Sequence, residues 1–132
     1  MKILLDNVNL NSSSGPNSFA KRLKMGMEII GGNQIGEVES PDVQLSFISA
    51  TRKVAPLALR LDGIYFNTRQ DWNANNAPIK YSFNHSDLII YQSNFNKRLT
   101  EAYFGIPRNS VVIGNGTCKE CIDKVPVSSN PV

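Results

Sequence analysis

Short apolar runs separated by loops or by segments of helical period constrain this chain most. Lys2 to Val8 is short and apolar-rich, as a buried parallel strand is. Asn9 to Pro16 is a loop of Asn, Ser, Gly and Pro, and a helix follows it. Phe19, Leu23, Met27 and Ile30 fall on one helical face, with Lys21, Arg22, Lys24 and Glu28 largely on the other. Gly31-Gly32 ends that helix, because glycine adopts a left-handed cap at little cost. Val43 to Ile48 and Pro56 to Leu61 are the next apolar runs. Pro78 to Phe83 reads as a helix with Pro78 in its first turn. Leu88 to Tyr91 is a strand by its β-branched and aromatic content. Ser93 then caps a helix whose apolar face is Phe95, Leu99 and Ala102-Tyr103, stopped by Gly105-Ile106-Pro107. Val111 to Ile113 is a last strand, closed by Gly114-Asn115-Gly116. Strands alternating with helices predict an α/β domain with a mostly parallel sheet and helices on both faces. Residues 33 to 41 offer only Gly36-Glu37-Val38, so no strand is assigned there.

The length of 132 residues suits one domain, expected over residues 1–117, with 118–132 as a linker or tail. Apolar residues at 41% suffice for a packed core without a metal or disulfide staple. Asparagine is conspicuously frequent and reads as turn chemistry. The net charge of +3 permits anionic partners. Basic residues make no run longer than pairs such as Lys21-Arg22 and Lys97-Arg98, so no nucleic-acid partner is expected. Asp6 and Asn7 interrupt the first apolar run far short of a secretory core, and no run is long enough for a membrane span. A cytoplasmic protein with reduced thiols is the resulting expectation. The N-x-S/T patterns at Asn11, Asn84 and Asn115 carry little weight in that setting.

Ligands of open parallel sheets bind beyond the carboxyl ends of the strands, and several segments belong there. Ser12 to Asn17 precedes the first helix; its small residues let backbone N–H groups approach an anion, or it is a plain turn and cap. Arg60-Leu61-Asp62-Gly63-Ile64-Tyr65-Phe66-Asn67 follows a strand. There Asp62 can accept hydrogen bonds from a sugar hydroxyl or stabilise positive charge at an anomeric carbon, and Tyr65 and Phe66 can stack on a sugar ring. The alternative is an Arg60–Asp62 ion pair with both aromatics in the core. Ser93 is a helix cap or a ligand contact, and Asn115 a turn residue or part of a cleft edge. His85, the single histidine, sits at a helix end where it complements the helix dipole. No Gly-x-Ser-x-Gly elbow accompanies it. Cys118 and Cys121 form one pair without the second pair that a tetrahedral zinc site requires.

The order of these segments resembles the N-terminal domain of GT-B glycosyltransferases, in the retaining, group 1-like family that uses nucleotide sugars. Four pieces between residues 2 and 117 carry the likeness. They are Ser14-Gly15-Pro16-Asn17-Ser18-Phe19, Leu59 to Phe66, Ile90-Tyr91-Gln92-Ser93 with Tyr103-Phe104-Gly105, and Val111 to Gly116. The resemblance implies a Rossmann-like three-layer domain, one half of a GT-B fold. It implies hexosyl transfer from a nucleotide-sugar donor to a sugar or glycan acceptor, with no cofactor and no metal. Gly15 would face the donor diphosphate, with Ser14, Pro16 and Asn17 beside it. Asp62 would be catalytic, and Arg60, Gly63, Tyr65, Phe66, Ser93 and Asn115 would bind substrate. Asp62 falls where many relatives carry a functional histidine, and Ser14-Gly15 where many have two glycines. The family's donor-binding domain, with its Glu-x7-Glu element, has no counterpart in these 132 residues. It would be supplied in cis or in trans, and the chain alone would be inactive. Two readings compete with an enzyme half. One is a non-catalytic binding or assembly module. The other is an unrelated nucleotide binder, which needs a ribose-binding acid after a second strand, where Glu37 and Glu39 are the candidates.

Overall fold

A computed structural model describes residues 1–116 and 119–127 of the chain. Six strands form one sheet in which every neighbouring pair is parallel. They are β1 (Lys2–Asp6), β2 (Gln34–Gly36), β3 (Val43–Phe47), β4 (Leu57–Leu61), β5 (Leu88–Tyr91) and β6 (Ser110–Val112), in the spatial order β2-β1-β3-β4-β5-β6. The helices are α1 (Gly15–Ile30), α2 (Trp72–His85), α3 (Asn94–Phe104) and α4 (Lys119–Asp123).

Register decides which face each helix covers. Phe47 pairs with Arg60, so these two point to one face while Leu59 and Leu61 point to the other. Phe47 belongs to a core with Ile3, Leu5 and Ile35, packed by Phe19, Ala20, Leu23 and Met27 of α1. Leu59 and Leu61 belong to a second core with Ile89 and Tyr91, packed by Ile79 and Phe83 of α2 and by Leu99 and Phe104 of α3. Helices therefore lie on both faces, and the chain is a Rossmann-like three-layer α/β domain.

Two connections carry no helix. Residues 37–42 join β2 to β3 across β1, and residues 48–56 join β3 to β4. Such short crossovers suffice because β2 has three residues and β3 five. The second connection takes a helix's place on one face, and this explains Gln44 and Ser46 inside a buried strand. A loop backbone laid over a sheet needs hydrogen-bond partners. Gln44, fully buried, donates to the Arg52 carbonyl at 2.6 Å and accepts from the Val54 N–H at 3.0 Å.

Several elements depart from the sequence expectation. The first strand ends at Asp6, because Asn7 takes a left-handed backbone (φ 59°). A strand does exist in the thin stretch: Gln34–Gly36 pairs with Lys2–Leu4, too short to show a period-2 pattern. The helix expected to open at Pro78 instead starts at Trp72, capped by Asp71, which accepts from the Ala74 N–H at 3.1 Å. Pro78 lies inside it and deprives the Ala74 carbonyl of its usual donor. The buried side of α3 is Asn96 and Thr100, with Leu99 and Phe104 beside them, whereas Phe95 is 65% exposed. Asn96 donates to the Leu61 carbonyl at 2.8 Å and accepts from the Thr100 hydroxyl at 3.0 Å, so polar side chains sit there fully paired. The segment expected as a linker contains α4; Cys118 lies outside the described residues. Among the described residues no helix is long and apolar enough to cross a membrane.

Candidate functional site

The carboxyl ends of β4, β5 and β6 converge on a polar cluster. Arg60 lies in β4, and Asp62, Gln92 and Asn115 come just after β4, β5 and β6. Arg60 donates through Nη1 to Asp62 and through Nη2 to Asn115 Oδ1, the latter at 2.6 Å. Gln92 Nε2 also donates to Asp62 Oδ1, and Asn115 Nδ2 donates to Gln92 Oε1 at 3.1 Å. The guanidinium carbon stands 3.9 Å from the centroid of the Phe19 ring and 5.7 Å from that of Phe47. Arg60 is only 4% exposed, and burial lowers its pKa from the ordinary guanidinium value, while the charge and hydrogen bond of Asp62 pull it back up.

Asp62 stands differently. Both of its donors use Oδ1; among the described residues Oδ2 accepts nothing, and the side chain is 27% exposed. It borders a cleft of about 350 Å3 lined by Gly63, Phe66, Ser93, Phe95 and Asn115. That volume lies at the lower end of small-ligand sites, roughly 300–1,000 Å3. The expected Arg60–Asp62 ion pair exists, yet the aromatics beyond it are not core residues. Tyr65 and Phe66 are both exposed, and only Phe66 lines the cleft. Tyr65 is held through its backbone: its N–H donates to Asn76 Oδ1 at 2.8 Å and its carbonyl accepts from Asn76 Nδ2 at 2.6 Å.

Ser93 is the cap of α3, accepting from the Asn96 N–H at 3.1 Å, and its residue also borders the cleft. Ser14 precedes α1 without capping it through its side chain; its hydroxyl accepts from Asn17 Nδ2 at 2.7 Å. Asn17 Oδ1 in turn accepts from the Asn9 N–H at 2.9 Å. Gly15 opens α1 with free space at its Cα, and Pro16 occupies the first turn. These four residues do not line the Asp62 cleft. They meet the cluster through Phe19, one turn beyond Gly15.

A second and larger cleft, about 910 Å3, opens at the carboxyl ends of β1, β2 and β3. The order of strands reverses at β1, with β2 on one side and β3 on the other, so this is the topological switch point of the sheet. Asp6, Asn9, Asn17, Glu37, Glu39 and Arg52 are among its lining residues. Asp6 is already spent: its Oδ2 accepts from the Ser46 hydroxyl at 2.7 Å, the Thr51 N–H at 2.9 Å and Gln44 Nε2 at 3.2 Å, and Oδ1 accepts from the Thr51 hydroxyl. Sequence reasoning missed Asp6, Gln92 and Thr51. Asp6 and Gln92 mark strand ends, but only the tertiary partners tell them from other polar residues at such ends.

His85 behaves as the sequence suggested. It ends α2, its Nδ1 lies 2.7 Å from the Tyr81 carbonyl, and its ring stacks on Tyr81 with centroids 4.1 Å apart. No three His, Cys, Asp or Glu side chains among the described residues group as metal ligands would. No family model, no curated protein and no solved structure matches this chain.

Proposed function

We propose that this chain is the acceptor-side domain of a glycosyltransferase and contributes to sugar transfer from a nucleotide sugar to a sugar or glycan acceptor. One observation carries the reading: Asp62 is pinned through Oδ1, its Oδ2 accepts no hydrogen bond among the described residues, and the residue lines a cleft together with Phe66 and Phe95. A carboxylate held in this way accepts a hydrogen bond from a sugar hydroxyl without losing orientation. It also opposes positive charge developing at an anomeric carbon. Phe66 and Phe95 offer apolar faces to the C–H side of a pyranose ring, and Ser93 and Asn115 offer polar groups at the rim. The resemblance through Ser14 to Phe19 and Leu59 to Phe66 gives the same assignment. By that resemblance the donor is held mainly by a second Rossmann domain, in cis or in trans, and the chain alone turns nothing over.

The test is a titration of the labelled chain with a panel of mono- and disaccharides, followed by amide NMR. The expected result is saturable binding with shifts centred on Gly63, Phe66, Ser93 and Asn115, reduced in Asp62→Asn. A panel with no saturable binder overturns the acceptor-side reading. So does binding that leaves those amides unmoved.

A further inference from the structure

The switch-point cleft is built differently from the one at Asp62. An adjoining recess of about 250 Å3 is lined by Leu5, Val8 and Leu10 together with Asn9, Asn11 and Glu37. Glu37 and Asn9 line both the recess and the larger cleft, so they stand where the two spaces meet. Glu37 is the residue immediately after β2 and is exposed; among the described residues it forms no ion pair. The rim is fixed before any ligand arrives, because the Asn9 N–H is held by Asn17 and the Asn11 N–H by Asn9 Oδ1 at 2.9 Å.

We propose that this cleft binds a ribonucleoside, with Glu37 accepting hydrogen bonds from the 2′- and 3′-hydroxyls and the base in the Leu5–Val8–Leu10 recess. A ribonucleoside joins a flat base, apolar on its faces and polar at its edges, to one vicinal diol; Leu5, Val8 and Leu10 suit the faces, Asn9 and Asn11 the edges, and Glu37 the diol. A free saccharide carries hydroxyls around its whole ring and would press some of them unpaired against Leu5, Val8 and Leu10. The recess has no aromatic platform for a sugar ring, whereas the Asp62 cleft has Phe66 and Phe95. An acidic residue at the end of the second strand, 22 residues beyond Gly15, is where parallel sheets of this kind meet a ribose diol. The loop before α1 lacks the GxGxxG pattern, so the nucleoside itself, rather than a diphosphate grip, supplies the recognition. The inference does not depend on the transferase reading.

Isothermal titration of the full chain with adenosine and uridine, each beside its 2′-deoxy counterpart, tests it. The expected result is saturable binding of at least one ribonucleoside. Loss of the 2′-hydroxyl and Glu37→Gln should each weaken it about tenfold, since each removes a hydrogen bond to a charged group. Glu37 is exposed, so that variant folds as the parent does, which circular dichroism checks. Absence of saturable binding for both ribonucleosides overturns the proposal. Binding indifferent to the 2′-hydroxyl and to Glu37→Gln also overturns it, as does displacement of the nucleoside by glucose. Saccharides report on the Asp62 cleft separately, so failure here leaves the transferase reading where it stood.

Discussion

The guanidinium carbon of Arg60 lies 3.9 Å from the ring centroid of Phe19, fastening the N-terminal end of α1 to the end of β4. One side chain thereby ties α1 to the loops that follow β4 and β6. It faces Phe19, pairs with Asp62 and reaches Asn115, and Gln92 closes the ring of hydrogen bonds. A cation so buried is tolerated because every direction it faces holds an acceptor or an aromatic face. Taking it away leaves Asp62 with Gln92 alone.

Arg60→Ala should therefore cost about 2–4 kcal/mol of folding stability, below the full penalty for a buried pair because Asp62 is partly in water. Urea denaturation measures it. A loss under about 1 kcal/mol would mean that the cluster organises the site without supporting the fold.

Asp6 predicts a structural defect rather than a catalytic one. Its carboxylate accepts four hydrogen bonds that tie Gln44 and Ser46 of β3 to Thr51 of the 48–56 loop. An amide nitrogen in place of one oxygen can accept none of these. Asp6→Asn should cost about 2–3 kcal/mol in chemical denaturation. An unchanged midpoint would show that the loop is held by its apolar contacts instead.

Asn76 clamps the loop that carries Gly63 and Phe66, because its amide pairs with both backbone groups of Tyr65. Asn76→Ala leaves those groups without partners. The expected cost is about 1–3 kcal/mol, with faster amide exchange at Tyr65. Exchange that stays slow would place the restraint on the loop elsewhere.

Two ionisable groups set opposite limits in pH. The hydrogen bond from Lys53, then that from the Leu57 N–H, hold the Asp87 carboxyl below its ordinary value of 3.8. A depressed carboxyl contributes stability that is present above 3.8 and is lost as pH falls through the folded value. Burial, then the nearby Glu101 charge and hydrogen bond, push the Tyr91 hydroxyl well above its ordinary 10.0. A raised phenol contributes stability that is present below pH 10 and erodes above it, since the unfolded chain ionises first. Denaturation curves should show Asp87→Asn flattening the acid limb and Tyr91→Phe flattening the alkaline limb. Parallel limbs in wild type and variant would contradict the corresponding shift.

Much of the fold was legible because its signals are local. All five apolar runs became strands within two residues of their expected ends, and Ser93 and Gly31 cap as expected. The misses share one cause. Asparagine was read as turn chemistry, yet Asn76 and Asn96 are buried inside helices, where their amides satisfy backbone groups of the β4–α2 connection and the end of β4. No period marks such a residue, so α2 seemed to start late and α3 seemed to bury Phe95. Strand β2 escaped notice for a related reason: three residues stabilised by pairing with Lys2–Leu4 have no local pattern to display.

At Asp62, the residue type and its place after an apolar run were written in the sequence, and so was its pairing with Arg60 as one of two readings. That Gln92 would share its Oδ1, and that the residue would line a cleft, depended on strands brought side by side by register. Alternation of apolar runs and helical segments is a one-dimensional property, and by itself it determined the class of fold and the edge of the sheet where ligands belong. That Glu37 forms no ion pair among the described residues, that Asp62 is bonded through one oxygen only, and that Asp6 is spent was decided only by tertiary structure. A hydrogen bond is made to whichever group packing brings near, and those neighbours lie 30 or more residues away along the chain.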